Sequence, residues 1–161
     1  MKKLNLMAVV ACIGLAFGLT SCKEEKKLVG SWEVVKTQEI KTFKGDTLPS
    51  YSSYYKNVDT TIVPQKGESM VLTFSKKGVV LKQYTDSDGN PQSYTDAYTI
   101  LDDKLYFDSE EYTMSFKGKD LTLTTEETVK SEWEPWDSKT GKYIKVPYTR
   151  YSKTVIYLKE H

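Results

Sequence analysis

Tyr112-Thr113-Met114-Ser115-Phe116-Lys117-Gly118-Lys119-Asp120-Leu121-Thr122-Leu123-Thr124 is the stretch that decides the fold. Apolar and polar residues alternate on both sides of Lys117-Gly118-Lys119, so Tyr112, Met114, Phe116, Leu121 and Leu123 share one face of a ribbon. Threonine and serine take the other face, and a glycine between two lysines is turn chemistry. The stretch predicts an antiparallel hairpin with one face in a core and the other in water.

The same period-two pattern runs through Met70-Val71-Leu72-Thr73-Phe74 and recurs along the chain. Eight segments read as strands: residues 30–40, 69–75, 78–85, 94–100, 104–108, 111–117, 119–129 and 149–159. No segment carries a convincing amphipathic helical pattern. Ser75-Lys76-Lys77-Gly78 and Leu101-Asp102-Asp103-Lys104 are tight links of the same kind as the first. Sequential hairpins make a meander, so the expected fold is all-β, an eight-stranded antiparallel up-and-down barrel.

In such a meander alternate connections lie at opposite ends. The three short links fall at one end, whereas the stretches 41–68, 86–93 and 130–148 fall at the other, with only Asp108 to Glu110 short there. One end is pinched shut and the other is rimmed by loops, where binding residues concentrate. Residues 130–148 carry Trp133, Pro135, Trp136, Tyr143, Pro147 and Tyr148, and residues 41–68 carry Tyr51, Tyr54 and Tyr55. These rings suit recognition of sugars, peptides or amphiphiles; the other reading is a lid folded back over the barrel.

Alternation sends Met70, Leu72, Phe74, Tyr98, Ile100, Leu105, Phe107, Met114, Phe116, Leu121 and Leu123 inward as packing residues. Met70, Tyr84, Tyr94, Phe107 and Tyr112 lie nearest the rim and would line a pocket. Strict alternation from Trp32 and Val34 also puts Lys36 and Gln38 inside, which requires either a bulge that re-aims them or a partly polar cavity.

Composition removes several function classes. The chain has 23 basic and 22 acidic residues, and loss of Lys2 and Lys3 with an amino-terminal signal takes the basic count to 21. A near-neutral surface gives no reason to expect nucleic acid. The single histidine is His161, and the two cysteines are Cys12 and Cys22. Histidine general bases, His/Cys metal centres and His-activated nucleophiles are therefore nearly excluded, and no cofactor is implied. Asp86-Ser87-Asp88-Gly89-Asn90 carries oxygens at alternate positions, but the glycine is two residues early for a calcium loop and no closing glutamate follows, so it reads as a turn. The chain is read as no enzyme; a hydrolase built on carboxylates and tyrosines is the remaining catalytic possibility.

Lys2 and Lys3 precede an apolar run from Leu4 to Leu19, the charged and apolar regions of a secretion signal. The run is too short to read as a membrane span. Leu19-Thr20-Ser21-Cys22 then resembles the lipobox of bacterial lipoproteins. That resemblance implies cleavage before Cys22 and attachment of palmitate-type acyl chains to it, giving a signal peptide over 1–21, a lipid-bearing tether over 22–28 and a domain over 29–161. Lys23-Glu24-Glu25 is similar to the surface-export signal of outer-membrane lipoproteins, which implies a domain facing the cell exterior. The alternative is a plain solvated tether on the periplasmic face.

Gly30-Ser31-Trp32 at the start of the first strand, with Tyr98-Thr99-Ile100 and Lys104-Leu105-Tyr106-Phe107 further on, resembles the lipocalin-like lipoproteins. The resemblance covers residues 28–159. It implies a lipocalin-like monomeric barrel plugged at its closed end by Gly30 and Trp32, with a small hydrophobic or amphipathic ligand at the open end. Tyr51, Tyr54, Tyr55, Tyr84, Tyr94, Tyr112, Trp133 and Trp136 are then the ligand-binding candidates. An eight-stranded barrel is just wide enough for its own side chains to fill it, so the competing reading is a filled barrel that docks a surface polypeptide or glycan through its aromatic loops.

Overall fold

The structure, a computed structural model, describes residues 24–45, 56–65, 67–86 and 88–161. Cys22 and the signal segment, together with Tyr51, Tyr54 and Tyr55, lie outside them. Among the described residues twelve strands follow in chain order: β1 (Gly30–Lys44), β2 (Val58–Ile62), β3 (Met70–Phe74), β4 (Val79–Thr85), β5 (Pro91–Ala97), β6 (Thr99–Leu101), β7 (Lys104–Phe107), β8 (Glu110–Lys117), β9 (Asp120–Trp133), β10 (Trp136–Asp137), β11 (Lys142–Tyr143) and β12 (Val146–Glu160).

Nine of them form one antiparallel path, β5-β4-β3-β1-β12-β9-β8-β7-β6, with β2 pairing β1 off it. The two ends of the path are strands separated by Tyr98 alone, whose N–H donates to the Gly78 carbonyl at 2.7 Å. The sheet is thus an all-β, nearly closed barrel. Gly78 sits at φ 72°, and a Cβ there would stand 3.1 Å from the Tyr98 carbonyl oxygen, which is why this approach uses glycine.

The lower interior is apolar. Leu72, Phe74, Val80, Leu105, Leu121, Leu123 and Leu158 are buried, and Phe74 meets Tyr98 edge-on at 5.2 Å and Phe107 at 5.8 Å. Each fully buried aliphatic side chain contributes roughly 1.5–3 kcal/mol. At the pinched end residues 24–28 make one helical turn, so the segment expected as a tether ends on a core residue, Leu28, with no exposed surface. The Trp32 indole N–H donates to the Leu28 carbonyl at 2.7 Å, and its ring lies against Phe116 at 6.1 Å.

The turns Asp102-Asp103 and Asp108-Ser109 both sit at positive φ, the two-residue hairpin geometry that follows the sheet's right-handed twist. In β1 the register with β12 shifts between Val34 and Lys36. That bulge turns Lys36 outward, where its ammonium lies 4.3 Å from the centre of the Tyr157 ring, and it takes Lys36 and Gln38 off the inward face, which Thr37 and Glu39 continue instead.

Two of the stretches expected to be rim loops carry strand among their described residues: 41–68 holds the end of β1 and all of β2, and 130–148 holds the end of β9, β10, β11 and the start of β12. β8 pairs β9 only as far as Thr113↔Thr124, whereas β9 continues to Trp133↔Val146 against β12, and β1 follows β12 to Lys44↔Thr149. β2 pairs Thr37 to Lys41 of β1. Four strands, β2-β1-β12-β9, therefore rise past the rest of the barrel as an arm, about 30 Å for the nine further residues of β9. Threonine- and valine-rich runs such as Thr124-Thr125 and Thr128-Val129 fit a pleated surface. They fall in the segment 119–129 expected as strand, and only the continuation from Lys130 to Trp133 lies in a stretch expected as loop.

Trp32→Ala should lower unfolding free energy by about 3–5 kcal/mol and Trp32→Phe by about 1–2 kcal/mol, since the phenyl fills most of the space but orphans the Leu28 carbonyl. Urea unfolding followed by circular dichroism checks both; equal losses would show that the hydrogen bond contributes nothing.

Candidate functional site

The barrel mouth is lopsided. On one side the β7–β8 hairpin ends low, at Asp108-Ser109; on the other the arm overhangs it. Where β8 parts from β9 a cleft of about 680 Å³ opens, lined by Glu110, Glu111, Glu126 and Glu127 with the hydroxyls of Thr125, Ser152 and Thr154 among others. A smaller hollow of about 450 Å³ lies on the other flank of the same hairpin tip, beside Asp96 and Phe107.

Every carboxylate of the cleft is engaged. Glu110 accepts from the Thr125 hydroxyl at 3.2 Å, Glu111 from the Tyr106 hydroxyl at 2.9 Å, Glu126 from the Lys153 ammonium at 2.7 Å and Glu127 from the Arg150 guanidinium at 2.9 Å. The Tyr106 hydrogen bond and then Lys104 hold Glu111 below its usual range, and the Lys153 hydrogen bond does the same to Glu126. Glycoside hydrolysis needs one carboxyl shifted the opposite way; these two are held as anions. The cleft offers hydrogen-bond acceptors and hydroxyls, which suits a polar, hydroxylated or cationic group more than an alkyl chain.

The inward mouth of β4 and β5 is mixed. Tyr84 and Tyr94 stack at 5.9 Å, 15° from parallel, with Tyr94 exposed. Lys82 lies on the same face, its ammonium 2.8 Å from Asp108 and 5.9 Å from the centre of the Phe107 ring. Tyr112 is buried against Phe107 at 4.9 Å and belongs to the core. Asp86 accepts from the backbone N–H of Asp88 at 3.0 Å and of Asn90 at 2.8 Å, a turn that consumes the carboxylate. Among the described residues no three ligating side chains gather as a metal site.

The sequence-derived aromatics separate into three places. Tyr84 and Tyr94 stand at the mouth, Tyr112 in the core, and Trp133 high on the arm opposite Val146. Trp136 is at the arm's tip, where β10 pairs β11 and its ring meets Tyr143 edge-on at 5.2 Å. Both tip rings are strongly exposed, 58% for Trp136 and 68% for Tyr143, with Ile144 beside them. Phe43 and Tyr148, 6.2 Å apart on the arm, were not singled out as a pair, because their proximity depends on β1 running on to Lys44.

Compared with known proteins, the chain matches no protein-family model, no curated protein and no solved structure. The site's geometry therefore carries the functional argument.

Burial first, then the charges of Glu110 and Asp108, push the Tyr112 phenol up to about 12. The fold holds this phenol neutral, so its contribution is complete below the unfolded value near 10 and is lost as pH rises toward about 12. Tyr112→Phe should flatten the fall in urea midpoint across that alkaline window while changing little at neutral pH. An unchanged alkaline fall would contradict the assignment.

Proposed function

We propose that this chain is a lipid-anchored surface lipoprotein whose lipocalin-like barrel is a packed pedestal, and that it acts as an interaction protein docking a polypeptide or glycan through its arm. The nine-strand path supports this reading, since counting β5 and β6 as one strand bent at Tyr98 takes it to eight. The observation that carries the reading is the contrast between the two ends of the sheet: Leu105, Leu121 and Leu123 have no exposed surface, whereas Trp136 and Tyr143 stand mostly in solvent. A core of this kind supports recognition on the outside, and exposed aromatics are what interfaces use.

Orientation supports it. The helical turn at 24–28 reaches the barrel at its plugged end, and the arm leaves from the opposite end. Acyl chains on Cys22, which contribute roughly 0.8 kcal/mol per buried CH₂, would hold the plug toward the outer membrane and the tip outward. A second reading, a small amphipathic ligand at the mouth, draws on the Tyr84–Tyr94 stack beside Lys82.

The experiment takes the full chain in its native membrane. Cys22→Ser should abolish palmitate labelling and release the chain to the soluble fraction; retained labelling would end the anchoring claim. The Trp136→Ala/Tyr143→Ala pair should cut recovery of surface partners or glycans at least tenfold with the β-sheet circular dichroism unchanged. Full recovery by a folded variant, together with a Tyr94-dependent fluorescence response to a lipid panel, would favour the mouth instead.

A further inference from the structure

The arm leaves one strand edge open for an unusual length. Beyond Thr124 no strand among the described residues pairs with β9 on its β8 side, and the stretch runs Thr125-Glu126-Glu127-Thr128-Val129-Lys130-Ser131-Glu132-Trp133 without proline. Proteins normally keep such edges short or blunt them.

The backbone parity of this edge follows from the hairpin below it. Lys117 and Asp120 are paired across the two-residue turn Gly118-Lys119, which makes them a hydrogen-bonded pair; hydrogen-bonded and non-bonded pairs then alternate up the ladder. Even-numbered residues of β9 thus direct N–H and C=O toward β8. Above Thr124 the same groups of Glu126, Thr128, Lys130 and Glu132 point into the open edge, and all four side chains are exposed.

We infer that a second copy of this chain adds to this edge, antiparallel and two-fold symmetric about Thr128, joining the two arms into one continuous sheet. Charge selects that register. Centred on Thr128, Lys130 of each copy stands opposite Glu126 of the other, Thr128 faces its own counterpart, and Glu127 faces Val129. Every neighbouring register meets like charges: a centre at residue 126 or 127 sets glutamate against glutamate, a centre at 129 sets Glu126 against Glu132 twice, and a centre at 130 sets lysine against lysine. Opposite charges across a pair of strands stabilise and like charges destabilise, and a one-residue slip exchanges faces, so the sequence both favours one pairing and disfavours its neighbours. A strand from an unrelated partner would have no reason to match this pattern, whereas an isologous pairing matches it twice.

The test uses the full chain in its native membrane. Thr128→Cys should give a disulfide-linked dimer on mild oxidation, because directly opposed hydrogen-bonded residues are about 5.5 Å apart at Cα, within the range a disulfide spans. Thr122→Cys, on the same strand but inside the β8 pairing, should give no disulfide-linked dimer, and neither should the parent chain. Adding Lys130→Glu to Thr128→Cys should lower the dimer yield at least tenfold, and adding Glu126→Lys to that should restore it. A folded Thr128→Cys chain that stays monomeric, or that cross-links only to another polypeptide, overturns the inference. A dimer yield indifferent to the charge exchange overturns it as well.

Discussion

β12 is the constraint on which the rest depends. It is paired on both edges, to β1 from Trp32↔Glu160 up to Lys44↔Thr149 and to β9 from Asp120 to Trp133. The lower half of this three-stranded unit joins the first and last parts of the chain and brings the sheet nearly to closure. Its upper half has no partners from β3 or β8 and becomes the arm. One register thus determines both the packed body and the projecting element, and a slip of one residue would turn Leu158, Ile156, Leu121 and Leu123 away from the core together.

The bulge at Val34 to Lys36 reconciles the two halves. Below it Trp32 and Val34 face the core; above it Thr37, Glu39, Lys41 and Phe43 share the face of Arg150 and Tyr148, while Lys36 lies outside over Tyr157. Without the extra residue, Lys36 would point into a space that Leu72, Leu123 and Leu158 already fill, and an unpaired ammonium there would be costly. The bulge therefore accounts for an apolar barrel face and a polar, aromatic arm in one strand.

The sequence made the barrel legible wherever the apolar period of two was clean. Met70 to Phe74, Tyr112 to Phe116 and Leu121 to Leu123 fall on strands with the expected faces inward, and the Asp102-Asp103 turn is tight as its residues suggest. The arm was legible only in part: residues 119–129 and 149–159 read as strand, but the continuation to Trp133 and back to Val146 did not, because Lys130 and Glu132 alternate with Ser131 there and leave no continuous apolar stripe. Its strands exist because long β12 templates them from both sides, which is tertiary information. For the same reason Trp133 and Trp136 were recognisable as exceptional residues but not as parts of a projecting sheet. Tyr112, expected near a pocket, lies instead among the packed rings because β7 and β8 end just above it.

Hydrogen exchange of the backbone amides in residues 125–133 and 146–154 tests the central claim most directly. A sheet continuous from barrel to arm predicts that β12 amides in this range exchange as slowly as those of the barrel strands, with β9 amides facing β12 close behind. Exchange across both stretches at the rate of unstructured chain would contradict it.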